Sequence, residues 1–183
     1  MNIRNFQIGD IVGTTSLAPW TMAIKGKTWG WRYIFSQTKS SHIATVCGEH
    51  RLFYFMEMLG KGIHQTDIHD YDNRAPKSHV CFVGRHKAFD DPVIREKYNE
   101  FMLDLHERRV KYGWDDIENH ILVKLGIQIH DKEDTLICNE LPKVGFAWCK
   151  IPYPKEWDSP TFAPMHWQVY KNPLFTDVTK QII

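Results

Sequence analysis

Ser40-Ser41-His42-Ile43-Ala44-Thr45-Val46-Cys47, the break Gly48-Glu49-His50, and Arg51-Leu52-Phe53-Tyr54-Phe55-Met56-Glu57-Met58 decide how the rest of the chain is read. Both runs are rich in β-branched and aromatic residues and flank a short turn, so the pattern predicts an antiparallel hairpin. Side chains alternate across a strand, which puts His42, Ala44 and Val46 on one face of the first strand and Phe53, Phe55 and Glu57 on one face of the second. Closing the hairpin through its short turn brings the start of one strand roughly opposite the end of the next. A carboxylate, Glu57, then comes within reach of an imidazole, His42.

Upstream of the hairpin, Gly9-Asp10 supplies turn chemistry before a strand that begins at Ile11. Trp20 through Phe35 is aromatic-rich, with Trp29, Trp31 and Tyr33. Gly26 and Gly30 there argue against one long helix, while Trp31 to Gln37 suits a short one. Such a stretch serves either as a packed core and rim or as one wall of a substrate groove. Downstream, Gly60 to Thr66 reads as a turn and short strand, and Asp67 to Lys77 as a loop. Asp67, Asp70 and Asp72 lack the glycine and terminal glutamate of a helix-loop-helix calcium site, so a solvated acidic loop is the expectation. His79 to Gly84 is a further strand.

Asp90-Asp91-Pro92 opens the clearest helix, with Ile94, Tyr98, Phe101 and Leu105 as its buried stripe and an end near Arg109 to Gly113. Asp115 to Leu125 reads as a second helix and Thr135 to Trp148 as a third, with Pro142 expected to bend the latter or shift its start. Prolines at 152, 154, 160 and 164 make Ile151 to Met165 irregular. His166 to Tyr170 is the expected closing strand, and the residues from Asn172 onward lack a strong pattern and are expected to fray.

Length and composition narrow the class. At 183 residues and 43% hydrophobic content, the chain is expected to form one domain over residues 1–183, of the α+β class. A net charge of +1 with scattered cations gives no general reason to expect nucleic acid or an anionic membrane as the main partner. No apolar run reaches membrane-spanning length, and the first residues lack the apolar core of a signal peptide, so synthesis in the cytoplasm is expected. Cys47, Cys81, Cys138 and Cys149 form no Cys-x-x-Cys pair and read as free thiols. His42, Cys47, His50 and Cys81 fit no compact zinc-ligand spacing, and neither a metal nor another cofactor is expected.

Cys138 lies in Asp134-Thr135-Leu136-Ile137-Cys138-Asn139-Glu140-Leu141, where Asp134 or Thr135 would cap a helix and Ile137, Leu141, Val144 and Trp148 would form its apolar face. A thiol in the first turn of a helix meets unpaired amide hydrogens and the positive end of the macrodipole, both of which favour thiolate. A thiol hydrolase needs a nucleophile, a base and a group that fixes the base's tautomer. Cys138, His42 and Glu57 supply the three residue types. Taken singly, each has an ordinary structural role: a packed thiol, a strand histidine, a surface carboxylate. The combination is more specific than its members.

The order Gly9-Asp10-Ile11-Val12, Ser41-His42-Ile43-Ala44-Thr45-Val46, Phe55-Met56-Glu57, Lys111-Tyr112-Gly113-Trp114 and Leu136-Ile137-Cys138-Asn139-Glu140-Leu141 resembles the circularly permuted branch of the NlpC/P60 papain-like superfamily, in which histidine precedes cysteine. The resemblance runs from about Gln7 to Trp148; the strand histidine and the Cys-x-Glu-Leu piece are its most specific parts. It implies an antiparallel sheet packed against helices that include the nucleophile helix. It also implies Cys138 as nucleophile, His42 as its base, Glu57 as the residue that orients the histidine, and Tyr112 as a residue lining the site or assisting the oxyanion. Implied substrates are an amide in a peptide or a peptidoglycan stem peptide, with a lipid acyl group as the alternative; a catalytically silent binding module is another. A cell-wall substrate would call for delivery with a phage or release on lysis. Two departures stand out: Asn139 follows the cysteine where the family commonly has serine, and Leu17 to Lys39 is long and rich in tryptophan, so the groove need not accept a typical relative's substrate.

Overall fold

A computed structural model describes residues 2–16, 18–28, 30–33, 35–36, 38–49, 52–71, 79–113, 135–158, 167 and 173–183. Its centre is a six-stranded antiparallel sheet formed by β1 (Ile11–Thr15), β2 (His42–Glu49), β3 (Leu52–Leu59), β4 (Gly62–Asp67), β5 (His79–His86) and β8 (Phe175–Asp177), in the order β4-β3-β2-β1-β5-β8. Among the described residues the helices are α1 (Pro19–Thr28), α2 (Ile68–Tyr71), α3 (Pro92–Glu107), α4 (Glu140–Trp148) and α5 (Thr179–Ile182). A separate parallel pair joins β6 (Lys111–Tyr112) to β7 (Thr135–Leu136). The chain is therefore a mixed α+β fold, an antiparallel sheet packed against several helices.

Strand alternation divides the apolar interior in two. Ile43 and Cys47 of β2 and Met56 and Met58 of β3 belong to the larger cluster, with Tyr98, Met102 and Leu105 of α3 and Leu141 and Phe146 of α4. The intervening Ala44, Val46 and Phe55 join a smaller cluster with Phe6, Ile68, Val83, Val178 and Ile182. With both faces covered, these strands read as nearly unbroken apolar runs. Pro92 at the first turn of α3, and Asp91 Oδ1 accepting from the Val93 amide at 2.9 Å, fix the start of that helix as the sequence predicts.

Close contacts at two glycines set the spacing of the layers. Gly9 has φ +87°, which L side chains rarely adopt, and a Cβ there would lie 2.4 Å from the Phe89 ring. A Cβ at Gly145 would meet Met102 Cε at 2.2 Å and Tyr98 Cε2 at 2.4 Å, so the bare backbone of α4 is what lets it approach α3 so closely. Next to Gly9, the buried Asp10 carboxylate accepts from Arg85 Nε at 2.8 Å, from Arg85 Nη2 at 2.7 Å and from the Gln7 amide at 2.9 Å. Asp10→Ala would strand the arginine, and the expected loss is about 3 kcal/mol of unfolding free energy, read from urea denaturation. A loss under about 1 kcal/mol would show the pair to be energetically idle.

Four expectations need correction. The residues after Asn172 do not fray: β8 pairs with β5, and Val178 and Ile182 are buried. Two well-spaced apolar residues and a sheet edge suffice there, and a weak sequence pattern hides them. The Asn2 amide donates to the Ile182 carbonyl at 2.6 Å, and Asn5 Nδ2 donates to the Gln181 carbonyl at 2.6 Å. The short helix expected over Trp31 to Gln37 is a single 3-10 turn, Trp31–Tyr33, and the loop expected from Asp67 opens with the short helix α2, Ile68–Tyr71. The third helix begins at Glu140 rather than Thr135, because Thr135 and Leu136 are held in register with Lys111 and Tyr112. Pro142 thereby falls in the first turn, where helices tolerate it. The segment 115–125 and the strand expected over 166–170 lie outside the described residues, Trp167 excepted. Among the described residues no helix is long and apolar enough to cross a membrane.

Candidate active site

β2 pairs with β3 so that Ala44 faces Glu57, and β3 pairs with β4 so that Phe55 faces Thr66. His42, two residues from Ala44, is therefore a diagonal neighbour of Glu57, and Thr66 is a diagonal neighbour on the other side. The register differs from a direct His42–Glu57 pairing by two positions, which keeps both side chains on one face. The three form a buried row: His42 Nε2 lies 2.9 Å from Glu57 Oε2, and Thr66 Oγ1 donates to Glu57 Oε1 at 2.5 Å. Glu57 is 0% exposed, so the expectation of a surface carboxylate does not apply.

Cys138 comes to this row from the opposite end of the chain. The Ile137 carbonyl accepts from the Glu140 amide at 3.0 Å and the Leu141 amide at 3.4 Å, and Glu140 Oε2 reaches back to the Ile137 amide at 3.0 Å. The N-cap is Asn139, in place of Asp134 or Thr135, and Cys138 lies in the turn that leads into α4, ahead of its first residue Glu140. Of the predicted apolar face, Ile137 and Leu141 are buried and Val144 packs partly against the core. Trp148 is mostly exposed and stacks on Phe101 with centroids 4.9 Å apart, while Phe146, absent from that expectation, fills the core.

Cys138 is buried and lies near enough to His42 to act on its imidazole. Burial alone would lower the pKa of His42. The charge and hydrogen bond of Cys138, and then the hydrogen bond and charge of Glu57, outweigh it and raise the value to about 10. An imidazole so placed holds its proton through neutral pH. Tyr112 sits beside Leu136 in the parallel pair, and the Gly113 amide donates to the Leu136 carbonyl at 3.0 Å. Burial first, and then negative charge at Cys138 and Glu140, push its phenol upward, so it remains an O–H donor.

The other cysteines lack such a setting. Burial pushes the thiol of Cys47 up, and that of Cys81 up to about 12; it is also the main influence on Cys149. Among the described residues no three His, Cys, Asp or Glu side chains are grouped to hold a metal ion. Asp67 Oδ1 instead accepts from the His69 amide at 2.8 Å; Asp72 and His50 lie outside the described residues. Thr66 is the member of the row that sequence reasoning missed. The available signal was the tight Gly60-Lys61 turn, which fixes the register of β4 on β3 and thereby aligns Thr66 beside Glu57. No protein-family model matches the chain, and no curated protein matches it.

Proposed function

We propose that the protein is a thiol-dependent amide hydrolase with the circularly permuted papain-like arrangement, acting on a peptide or a peptidoglycan stem peptide. The observation that carries this reading is the buried His42–Glu57 pair, whose imidazole Cys138 and Glu57 together raise to a pKa of about 10. Such a ring stabilises a thiolate next to it as one half of an ion pair. The order of the elements, a strand histidine ahead of a cysteine in the turn that leads into a helix, supports the permuted arrangement.

In the proposed reaction the Cys138 sulfur attacks the amide carbon, and the carbonyl π electrons move to oxygen. The Tyr112 hydroxyl and amides of the first turn of α4 donate to that oxyanion. Nδ1 of His42 gives its proton to the leaving nitrogen as the C–N bond breaks, which leaves a thioester on Cys138. His42 then takes a proton from water, the hydroxide adds to the thioester, and collapse releases the carboxylic acid and the thiolate. Glu57 accepts from Nε2–H throughout, and Thr66 holds Glu57.

A peptidyl acyloxymethyl ketone tests this directly, because it alkylates thiols activated by an imidazole. One adduct is expected by intact mass and peptide mapping, on Cys138, and it should disappear in His42→Ala. Equal labelling of Cys81 or Cys149, or labelling that ignores His42, would overturn the proposal.

A further inference from the structure

From Ile11 through Gly48 the chain contains no Asp or Glu, while Lys25, Lys27, Arg32 and Lys39 fall within it. The remaining residues hold 19 basic against 22 acidic side chains, so a near-neutral total conceals a strongly cationic segment. The same segment carries Trp20, Trp29, Trp31, Tyr33 and Phe35. Trp31 is 76% exposed and Phe35 is 70% exposed, the two largest such values among the described aromatic residues.

The surface has a built base. Lys25 is fully buried, and its Nζ donates to the Ser16 carbonyl at 3.1 Å and the Ser36 carbonyl at 2.9 Å. It ties the approach to α1 to the end of the aromatic turn. Beside it, Arg32 Cζ lies 4.8 Å and Lys39 Nζ 5.5 Å from the centroid of the Tyr33 ring. Exposed large aromatic side chains between cations, in a stretch free of carboxylates, complement a bilayer interface with anionic headgroups: aromatic bodies partition into the interface and long cationic side chains reach phosphate and carboxylate groups.

We propose that this segment docks the protein on the surface of an anionic lipid bilayer, with Trp31 and Phe35 inserting at headgroup level and Arg32 and Lys39 facing the lipid charges. The partner is the membrane plane. Docking is independent of the thiol chemistry, although the segment runs directly into β2 and His42.

Sedimentation with vesicles of phosphatidylcholine alone and with 30% phosphatidylserine, a fraction on the order of that in anionic cellular leaflets, tests the proposal. Binding is expected with the anionic vesicles, at least about tenfold weaker without the anionic lipid and weakened by added salt. Trp31→Ser with Phe35→Ser, and separately Arg32→Glu with Lys39→Glu, should each lower the partition coefficient about tenfold or more. Failure of the unaltered protein to bind anionic vesicles would overturn the proposal, as would binding that both paired variants retain in full. Concentration-dependent dimerisation without vesicle binding, abolished by the aromatic pair, would assign the surface to self-association instead.

Discussion

Cys138→Ala is expected to lower turnover of an amide substrate by at least about 10⁴-fold, because removing the nucleophile removes the whole covalent route. The rest of the row does not depend on the thiol for its position. His42 and Glu57 are set by strand register, and α4 is anchored through Leu141, Gly145 and Phe146, so circular dichroism and the unfolding midpoint should stay close to those of the unaltered protein. The kinetic loss is then read without a folding loss. A variant that keeps more than about one part in ten of the turnover would remove Cys138 from the chemistry, since the residual rates of disabled triads lie orders of magnitude lower.

Glu57→Gln is expected to lower turnover by about 10²- to 10⁴-fold and to change its pH dependence. The sign follows from the causes acting on His42. Its proton is held up to about pH 10 partly by Glu57, so activity that needs the imidazolium persists at neutral pH and falls as pH rises through that value. A neutral amide withdraws one of the two negative partners, and the alkaline limb should move to lower pH. Glutamine has a second difficulty. Its oxygen meets Nε2–H only if its NH₂ turns to Thr66, whose hydroxyl must then accept where it now donates. Otherwise the NH₂ faces Nε2 and the ring proton moves to Nδ1, which blocks the base. Thr66→Val should shift the limb in the same direction by a smaller amount. An unchanged alkaline limb in Glu57→Gln would reject the orienting role.

The parts of this site that were legible in the sequence are those that local rules govern. Alternation put His42 and Glu57 on like faces of adjacent strands, and the helix that opens at Asp91-Pro92 announced itself through capping and a regular apolar stripe. Thr66 was hidden because its role depends on the register of a third strand, and threonine in a strand is unremarkable by composition. The start of α4 was misplaced because Thr135 is a good cap in isolation, yet two parallel bridges to Lys111 and Tyr112 claim it for a strand. β8 and α5 were missed for a related reason: Val178 and Ile182 are too few to make a period, and only the exposed edge of β5 gives them a place.

The bonds from Asn2 to Ile182 and from Asn5 to Gln181 bring residues from the two extremes of the sequence within one hydrogen bond of each other. Seen as a loop, the fold has no intrinsic first element. A short covalent bridge across that gap, with new ends opened at an exposed turn such as Arg108-Arg109, would leave the strand pairings of the six-stranded sheet unchanged and place the cysteine ahead of the histidine in the reading order. Which of the two comes first is then a matter of where the loop is opened, and the row of Cys138, His42, Glu57 and Thr66 is indifferent to it.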